Sequence, residues 1–382
     1  MPTTVLGLMS GTSADGVDGV LAEFSGSPSQ PHWRVLESSH HPYPESLRER
    51  LVGAGQGLSL SAEHWLQLRQ QITEQQALCA KATDPQRRAQ LVGCHGQTLW
   101  HHPPLGRKRG ASWQCLDGPL LAELLQCPVV FDFRSADLAR GGHGAPLVPL
   151  TDAALVPAIG GWRGLLNLGG IANLTLLPPA TGPDQDQAIR GWDCGPANSL
   201  LDLAVAHFSA GQQTYDQGGA WALQGQVNEA VVQHWLQEPY FQQPAPKSTG
   251  REQFGQADLQ RRLEQLQQSC PAGETLKAAD ALASLSALTA AVVAKDLARG
   301  PAVLELLVAG GGCRNGAVMH QLRQRCRGLW LRPLDAIGID PQQREALAFA
   351  LLAWWRLLGV DAGRPAVTGA QRRGSLGVLV SP

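Results

Sequence analysis

Gly7-Leu8-Met9-Ser10-Gly11-Thr12-Ser13-Ala14-Asp15-Gly16-Val17-Asp18-Gly19-Val20-Leu21 reads as two apolar strands joined by a long polar turn. A two-residue hairpin needs glycine only at its tip. Here Gly11, Gly16 and Gly19 alternate with Ser10, Thr12, Ser13, Asp15 and Asp18. Successive backbone N–H groups in such a turn form an anion cradle, because glycine accepts positive φ and lets a ligand come close. The plainer reading is that glycine only marks a tight turn. Hydroxyls at Ser10, Thr12 and Ser13 suit phosphate, and Asp15 or Asp18 suits the hydration shell of magnesium.

The same device returns about 160 residues later, where Gly164 to Leu177 is again strand, Gly169-Gly170 turn and strand. A third run, Gly310-Gly311-Gly312, follows the apolar stretch Val303 to Val308. The repetition predicts two lobes of related architecture, each opening with a hairpin that offers backbone amides, and three such turns point to a nucleotide site. Around them the pattern predicts strands at Thr4–Met9, Val17–Phe24, Trp33–Ser38, Leu91–Cys94, Val129–Phe131 and Leu376–Val380. Helices are predicted at about 45–53, 61–83, 120–126, 199–208, 276–299 and 341–358, so the class is mixed α/β.

With 382 residues, 43% of them hydrophobic, the chain can build two cored domains. Lys and Arg total 31 against 32 Asp and Glu, which favours neither a nucleic-acid nor a membrane partner. The basic run Gly106 to Gly110 reads as a solvated loop. Eight cysteines with no C-x-x-C pair read as reduced, mostly buried thiols of a cytoplasmic protein. The start Met1-Pro2-Thr3-Thr4 lacks a signal pattern, and the longest apolar stretch, Ala281 to Val293, is interrupted by Ser284, Ser286 and Thr289.

Missing motifs narrow the chemistry. No Walker loop occurs, no Gly-x-Gly-x-x-Gly opens a helix, and Gly11 to Asp15 departs from the nucleophile elbow, which disfavours a serine hydrolase. Asp193, before Gly195-Pro196 and a predicted helix, is either a carboxylate held ionised at a helix start or an N-terminal cap. His95 ends a predicted strand, where ligands collect in open sheets, though a lone loop histidine is more often structural. Asp132 to Asp137 reads as an ion-paired knot.

Taken together, Met9 to Asp18, Cys94-His95-Gly96-Gln97-Thr98, Asp132-Phe133-Arg134, Gly144-Ala145-Pro146-Leu147, Asn167 to Asn173, Asp193 to Asn198, Lys247 to Glu252 and Gly310 to Asn315 resemble the anhydromuramic acid kinases. The resemblance runs from residue 9 past 345. It implies a two-lobed, actin-like (ribonuclease H-like) ATPase fold, each lobe a mixed sheet flanked by helices, with the active site in the cleft between the lobes. Expected lobes are 1–132 joined by about 353–382, and 133–352. The implied activity opens the 1,6-anhydro ring of 1,6-anhydro-N-acetylmuramic acid and phosphorylates O6 with ATP and Mg²⁺, in peptidoglycan recycling, by a homodimer.

By the same resemblance, Asp193 is the catalytic base and Glu345 a second site carboxylate. Gly11, Thr12, Ser13, Ala14, Asp15, Gly16, Val17 and Asp18 wrap the phosphates, joined by Gly169, Gly170 and Asn173. Gly310, Gly311 and Gly312 meet adenosine, while Asp15 and Asp18 hold the metal through water. His95, Thr98, Arg134 and Arg251 face the sugar. Cys194, Ala197, His143 and Gln217-Gly218 depart from the family pattern. Two rival readings are a sugar kinase that breaks no ring bond and a nucleotide-gated binder without a sugar substrate.

Overall fold

The computed structural model describes residues 2–11, 14–55, 57–106, 108–250 and 252–382. Among them the strands are Thr3–Ser10 (β1), Gly16–Ser27 (β2), Gln30–Pro42 (β3), Leu91–His102 (β4), Ala111–Cys115 (β5) and Val129–Phe131 (β6). Trp162–Leu168 (β7), Ile171–Leu177 (β8), Arg190–Pro196 (β9), Val303–Ala309 (β10), Trp330–Pro333 (β11) and Val378–Val380 (β12) follow. The chain divides into unit 1, Met1–Pro157 with Gln342–Pro382, and unit 2, Ala158–Pro341.

In unit 1 the sheet order is β12-β6-β4-β1-β2-β3, with β5 on β4. β1, β2 and β3 form an antiparallel meander, while β4 runs parallel to β1 and β6 parallel to β4. In unit 2 the order is β11-β10-β7-β8-β9. There β7, β8 and β9 form the meander, β10 runs parallel to β7 and β11 parallel to β10. The two units therefore repeat one plan: a three-strand meander, then two crossover strands parallel to its first. This is the mixed-sheet α/β architecture that the repeated hairpin predicts.

Unit 1 is a sheet with helices on both faces. Leu6, Leu8, Val92 and Cys94 pack in one core with Leu68 and Ile72 of the Ala62–Thr83 helix. Side chains alternate along a strand, so Gly7 and Gly93 face the other way. There the Arg344–Leu357 helix lies directly on the sheet: a Cβ at Gly7 would stand 1.9 Å from the Ala346 carbonyl oxygen, and one at Gly93 2.2 Å from that of Phe349. That helix buries Leu347, Phe349, Leu351 and Leu352, each worth about 1.5–3 kcal/mol.

Its seat corrects the expected boundaries: residues 133–157 and 342–352 belong with unit 1, and Glu345 goes with them. Polar contacts hold these segments there. Asp137 accepts from the Gly144 amide (2.8 Å) and the Thr368 hydroxyl (2.7 Å), and Asp152 takes a bidentate guanidinium from Arg344.

Unit 2 is built on the Ala278–Ala298 helix, buried almost all round from Ala281 to Val293. It is long and apolar enough to cross a membrane, but most of it is covered inside the unit, as a helix apolar on every side is when it forms a core. Leu282, Leu285, Leu288 and Val292 pack there with Leu166, Leu174, Leu200, Trp235 and Phe241. The eight cysteines are free thiols, six of them buried.

Candidate active site

Asp193 lies inside β9 and not at a helix start. The following helix begins at Asn198, with Ala197 at its N-cap and no side-chain cap bond, so neither the capping role nor the helix-terminus role holds. The pairings Ala172↔Gly195 and Asn173↔Asp193 leave Cys194 as an extra residue, a bulge of the kind that re-aims neighbouring side chains. Asn173 donates its amide to Asp193 Oδ1, and the Thr249 backbone N–H donates to Oδ2 at 2.9 Å. One donor on each oxygen fixes the buried carboxylate as an acceptor. Asn173 thus serves the aspartate, where the sequence reading gave it to phosphate. Cys194 is packed in the core, and burial pushes its thiol well above the ordinary range, so that departure changes packing and not the polar face.

The other glycine turns of unit 2 meet at the carboxyl ends of β7 and β10, where ligands bind in such sheets. The carbonyls of Gly169 and Gly170 accept from the Asn198, Ala197 and Ser199 amides, tying the turn to the next helix. Gly310 has φ +81°, and a Cβ there would come 2.7 Å from the Leu168 carbonyl; one at Gly312 would meet the Leu168 side chain at 2.6 Å. These two glycines are required by packing on β7, and only the Gly311 position is open. Gly218 and Gly219, at φ +65° and +74°, turn the chain beside Asn315, which caps the Gly316–Arg325 helix.

In unit 1 the opening hairpin is tightly specified. Ser10 is buried; its hydroxyl lies 2.6 Å from Gln97 Oε1 and 2.8 Å from the Gly16 carbonyl, so its single proton is committed inside the fold and not offered to phosphate. Gln97 Nε2 donates to the Gly11 carbonyl at 3.0 Å. Gln97 thus braces the hairpin, a role that sequence reasoning passed over although the residue lies inside the quoted motif. Ala14 is buried at φ +51°, a left-handed conformation unfavourable for a residue with a Cβ, and its amide bonds the Gly11 carbonyl.

Gly16 and Val17 belong to β2. A Cβ at Gly16 would meet the His41 carbonyl at 2.4 Å, one at Gly19 the Thr83 hydroxyl at 2.2 Å, and the Val17 side chain is fully buried. Asp15 is exposed, and Asp18 Oδ1 is 2.8 Å from His40 Nδ1. Thr12, Ser13 and Arg251 lie outside the described residues.

His95 and Gly96 sit at a break in the β1–β4 register, after which Ser10 pairs with Gln97. His95 is buried. Its Nδ1 is 3.0 Å from the Gly96 carbonyl and its Nε2 3.0 Å from Arg134 Nη2, which assigns the neutral ring with its proton on Nδ1. Burial, with the Arg134 charge, pushes its pKa down to about 3. His95 therefore orients Arg134, whose Nη1 also donates to the Gly144 carbonyl at 2.7 Å. Thr98 accepts from Gln114 at 3.2 Å.

Glu345 opens the Arg344–Leu357 helix. Burial pushes its carboxyl up, Arg344 and Arg134 pull it back, and Asp18 adds a smaller upward push. No hydrogen bond reaches its carboxylate among the described residues. The hairpin, His95–Arg134 and Glu345 thus share one electrostatic neighbourhood in unit 1, and Asp193, Asn173 and Thr249 share another in unit 2.

Unit 2 thus carries a carboxylate oriented by N–H donors and glycine turns at strand ends, and unit 1 a half-buried guanidinium, groups of the types that phosphoryl transfer uses for placement and charge stabilisation. Comparison with known proteins narrows this. The family model for anhydro-N-acetylmuramic acid kinase matches residues 3–382. An anhydro-N-acetylmuramic acid kinase of Parasynechococcus marenigrum (strain WH8102) is 58% identical over 382 residues, covering 99% of each chain. One of Prochlorococcus marinus (strain MIT 9303) is 56% identical over 383 residues, again at 99% of each. Among solved structures, a ROK family glucokinase from Streptomyces griseus in complex with glucose and AMPPNP covers 92% of this chain and 99% of its own, at 12% identity and a TM-score of 0.38. The match over the whole length places the chain in the anhydro-N-acetylmuramic acid kinase family.

Proposed function

We propose that the enzyme adds water across the internal glycosidic bond of 1,6-anhydro-N-acetylmuramic acid and phosphorylates the released O6, giving N-acetylmuramate 6-phosphate and ADP. Asp193 takes a proton from water as the water oxygen bonds to C1. The C1–O6 bond breaks, O6 takes the γ-phosphoryl of ATP, and ADP leaves with the electrons of the β–γ bridge. Placement and charge stabilisation supply most of the rate in such a transfer. The observation that supports this reading most is the Asp193 carboxylate, buried and held by one N–H donor on each oxygen.

The hairpin Gly11 to Asp18, including Thr12 and Ser13, is the proposed phosphate cradle, with Gly169 and Gly170 as its counterpart and the open Gly311 position on the adenosine side. Asp15 and Asp18 fit a magnesium ion bound through water, since both place hard carboxylate oxygens on the hairpin. The ion supplies positive charge against the phosphate oxygens. Glu345 is the proposed second carboxylate, and Thr98, Arg134 and Arg251 the sugar-side contacts, Arg134 being set by His95. Recycling of peptidoglycan fragments, a cytoplasmic setting and a homodimer complete the reading.

The test is turnover with Mg²⁺-ATP and the anhydrosugar in ¹⁸O-water. Label at C1 of the phosphosugar is expected. Turnover without label would mean a plain sugar kinase, and ADP release indifferent to sugar would mean a nucleotide-gated binder. Asp193→Asn is expected to abolish turnover and leave ATP binding nearly intact.

A further inference from the structure

We infer that Lys247, through its buried pair with Asp296, is a positioning residue for Asp193; the inference rests on Asp193 being the base. The Lys247 and Asp296 side chains are 3% and 5% exposed and meet at 3.0 Å. Removing two charges from water costs several kcal/mol each, and such a pair is often no more stabilising than an apolar replacement of the same volume. What it supplies is direction, and Trp192, Tyr240 and the Lys247 backbone each tie it to Asp193.

Asp296, on the Ala278–Ala298 helix, also accepts from Trp192 Nε1 at 2.9 Å, which fixes the residue before the base. The Lys247 ammonium lies 5.1 Å from the Tyr240 ring centroid, and the Tyr240 hydroxyl donates to the Asp193 carbonyl at 2.7 Å. The Lys247 carbonyl accepts the Asp193 amide at 3.0 Å. Two residues on, the Thr249 amide reaches Asp193 Oδ2. Residues 243–250 have no helix or strand of their own, so nothing regular in that segment sets the Thr249 amide. The lysine side chain anchors the segment through Asp296, two residues before the donor at Thr249. Arg299, 3.9 Å from Asp296, is too distant and too exposed to replace it.

The experiment compares the full-length enzyme with Asp296→Asn, with Lys247→Met combined with Asp296→Asn, and with Asp193→Asn. The double variant removes both charges together, leaves no unpaired buried ion and keeps an acceptor for Trp192, so it folds even if a single charge deletion would not; melting checks this. Expected is a kcat lowered about tenfold to a hundredfold, with KM for ATP within about twofold, because a misdirected base costs rate and not nucleotide affinity. A folded double variant with unchanged kcat, or one whose loss lies wholly in KM, overturns the inference. Turnover surviving in Asp193→Asn would instead overturn the reading on which it rests.

Discussion

Gly93→Ala tests how unit 1 holds the Arg344–Leu357 helix. The added Cβ would stand 2.2 Å from the Phe349 carbonyl oxygen and 2.8 Å from the Ala353 Cβ. Carbon and carbonyl oxygen settle no closer than about 3.3 Å, so the helix must withdraw by about 1 Å. It cannot simply rotate away, because Gly7 on the neighbouring strand meets the same helix at Ala346 and Ala350. Overpacking of this kind costs about 1–3 kcal/mol. In a unit of roughly 200 residues that is a melting temperature lower by about 2–12 °C. Since Glu345 is at the first turn of that helix, a 1 Å shift is expected to lower kcat by up to about a hundredfold. Calorimetry and ADP release measure both. Gly55→Ala is the control: its Cβ would be an ordinary 3.7 Å from the Leu99 carbonyl, and melting should not fall. A Gly93→Ala protein that melts with the wild type would refute the close-packing argument; one that melts early with full kcat would detach Glu345 from the reaction.

Gln97→Met removes the acceptor for Ser10 and the donor to Gly11 while keeping the volume. It is expected to raise KM for ATP about tenfold, equal to about 1.4 kcal/mol, with kcat within about twofold; the reverse split would mean that Gln97 does not set the hairpin. Stability against pH gives a further check. Burial holds His95 at about 3 and His101 at about 4, whereas in the unfolded chain each titrates near 6.5. Above 6.5 neither state binds these protons; as pH falls from 6.5 toward 4 the unfolded chain takes them up and the fold does not. Stability is then lost at up to about 1.4 kcal/mol per pH unit for each histidine. His95→Gln should make the fall in melting temperature shallower over that interval, and an identical slope would contradict the buried neutral ring.

Much of the architecture was legible because periodicity encodes it. Apolar alternation marked β1, β2 and β3, and the run from Ala281 to Val293 marked the central helix of unit 2. β5 and β11, short and bearing polar residues, gave no such signal, and neither did the Gln256–Gln268 helix in a polar stretch. β9 was misread because Gly195-Pro196 resembles a helix start, whereas its cross-strand partners in β8 carry the extended chain through to Pro196.

The sequence alone determined the residue types of the site: the glycine turns, the carboxylates at 193 and 345, the repeated hairpin and the family. These are properties of composition and spacing, which a linear pattern records. Only tertiary structure decided which groups are committed inward. Ser10 looked like a phosphate donor until Gln97 and Gly16 enclosed its proton. Nothing in the linear pattern marked Gly7 and Gly93, whose lack of a Cβ is required only because the Arg344–Leu357 helix, more than 250 residues further along the chain, lies against them. Asn173 changed from a phosphate contact to a donor for Asp193 when β8 and β9 paired. A side chain's role is set by the neighbour that takes its hydrogen bond or fills its space, and those neighbours are assigned by long-range packing.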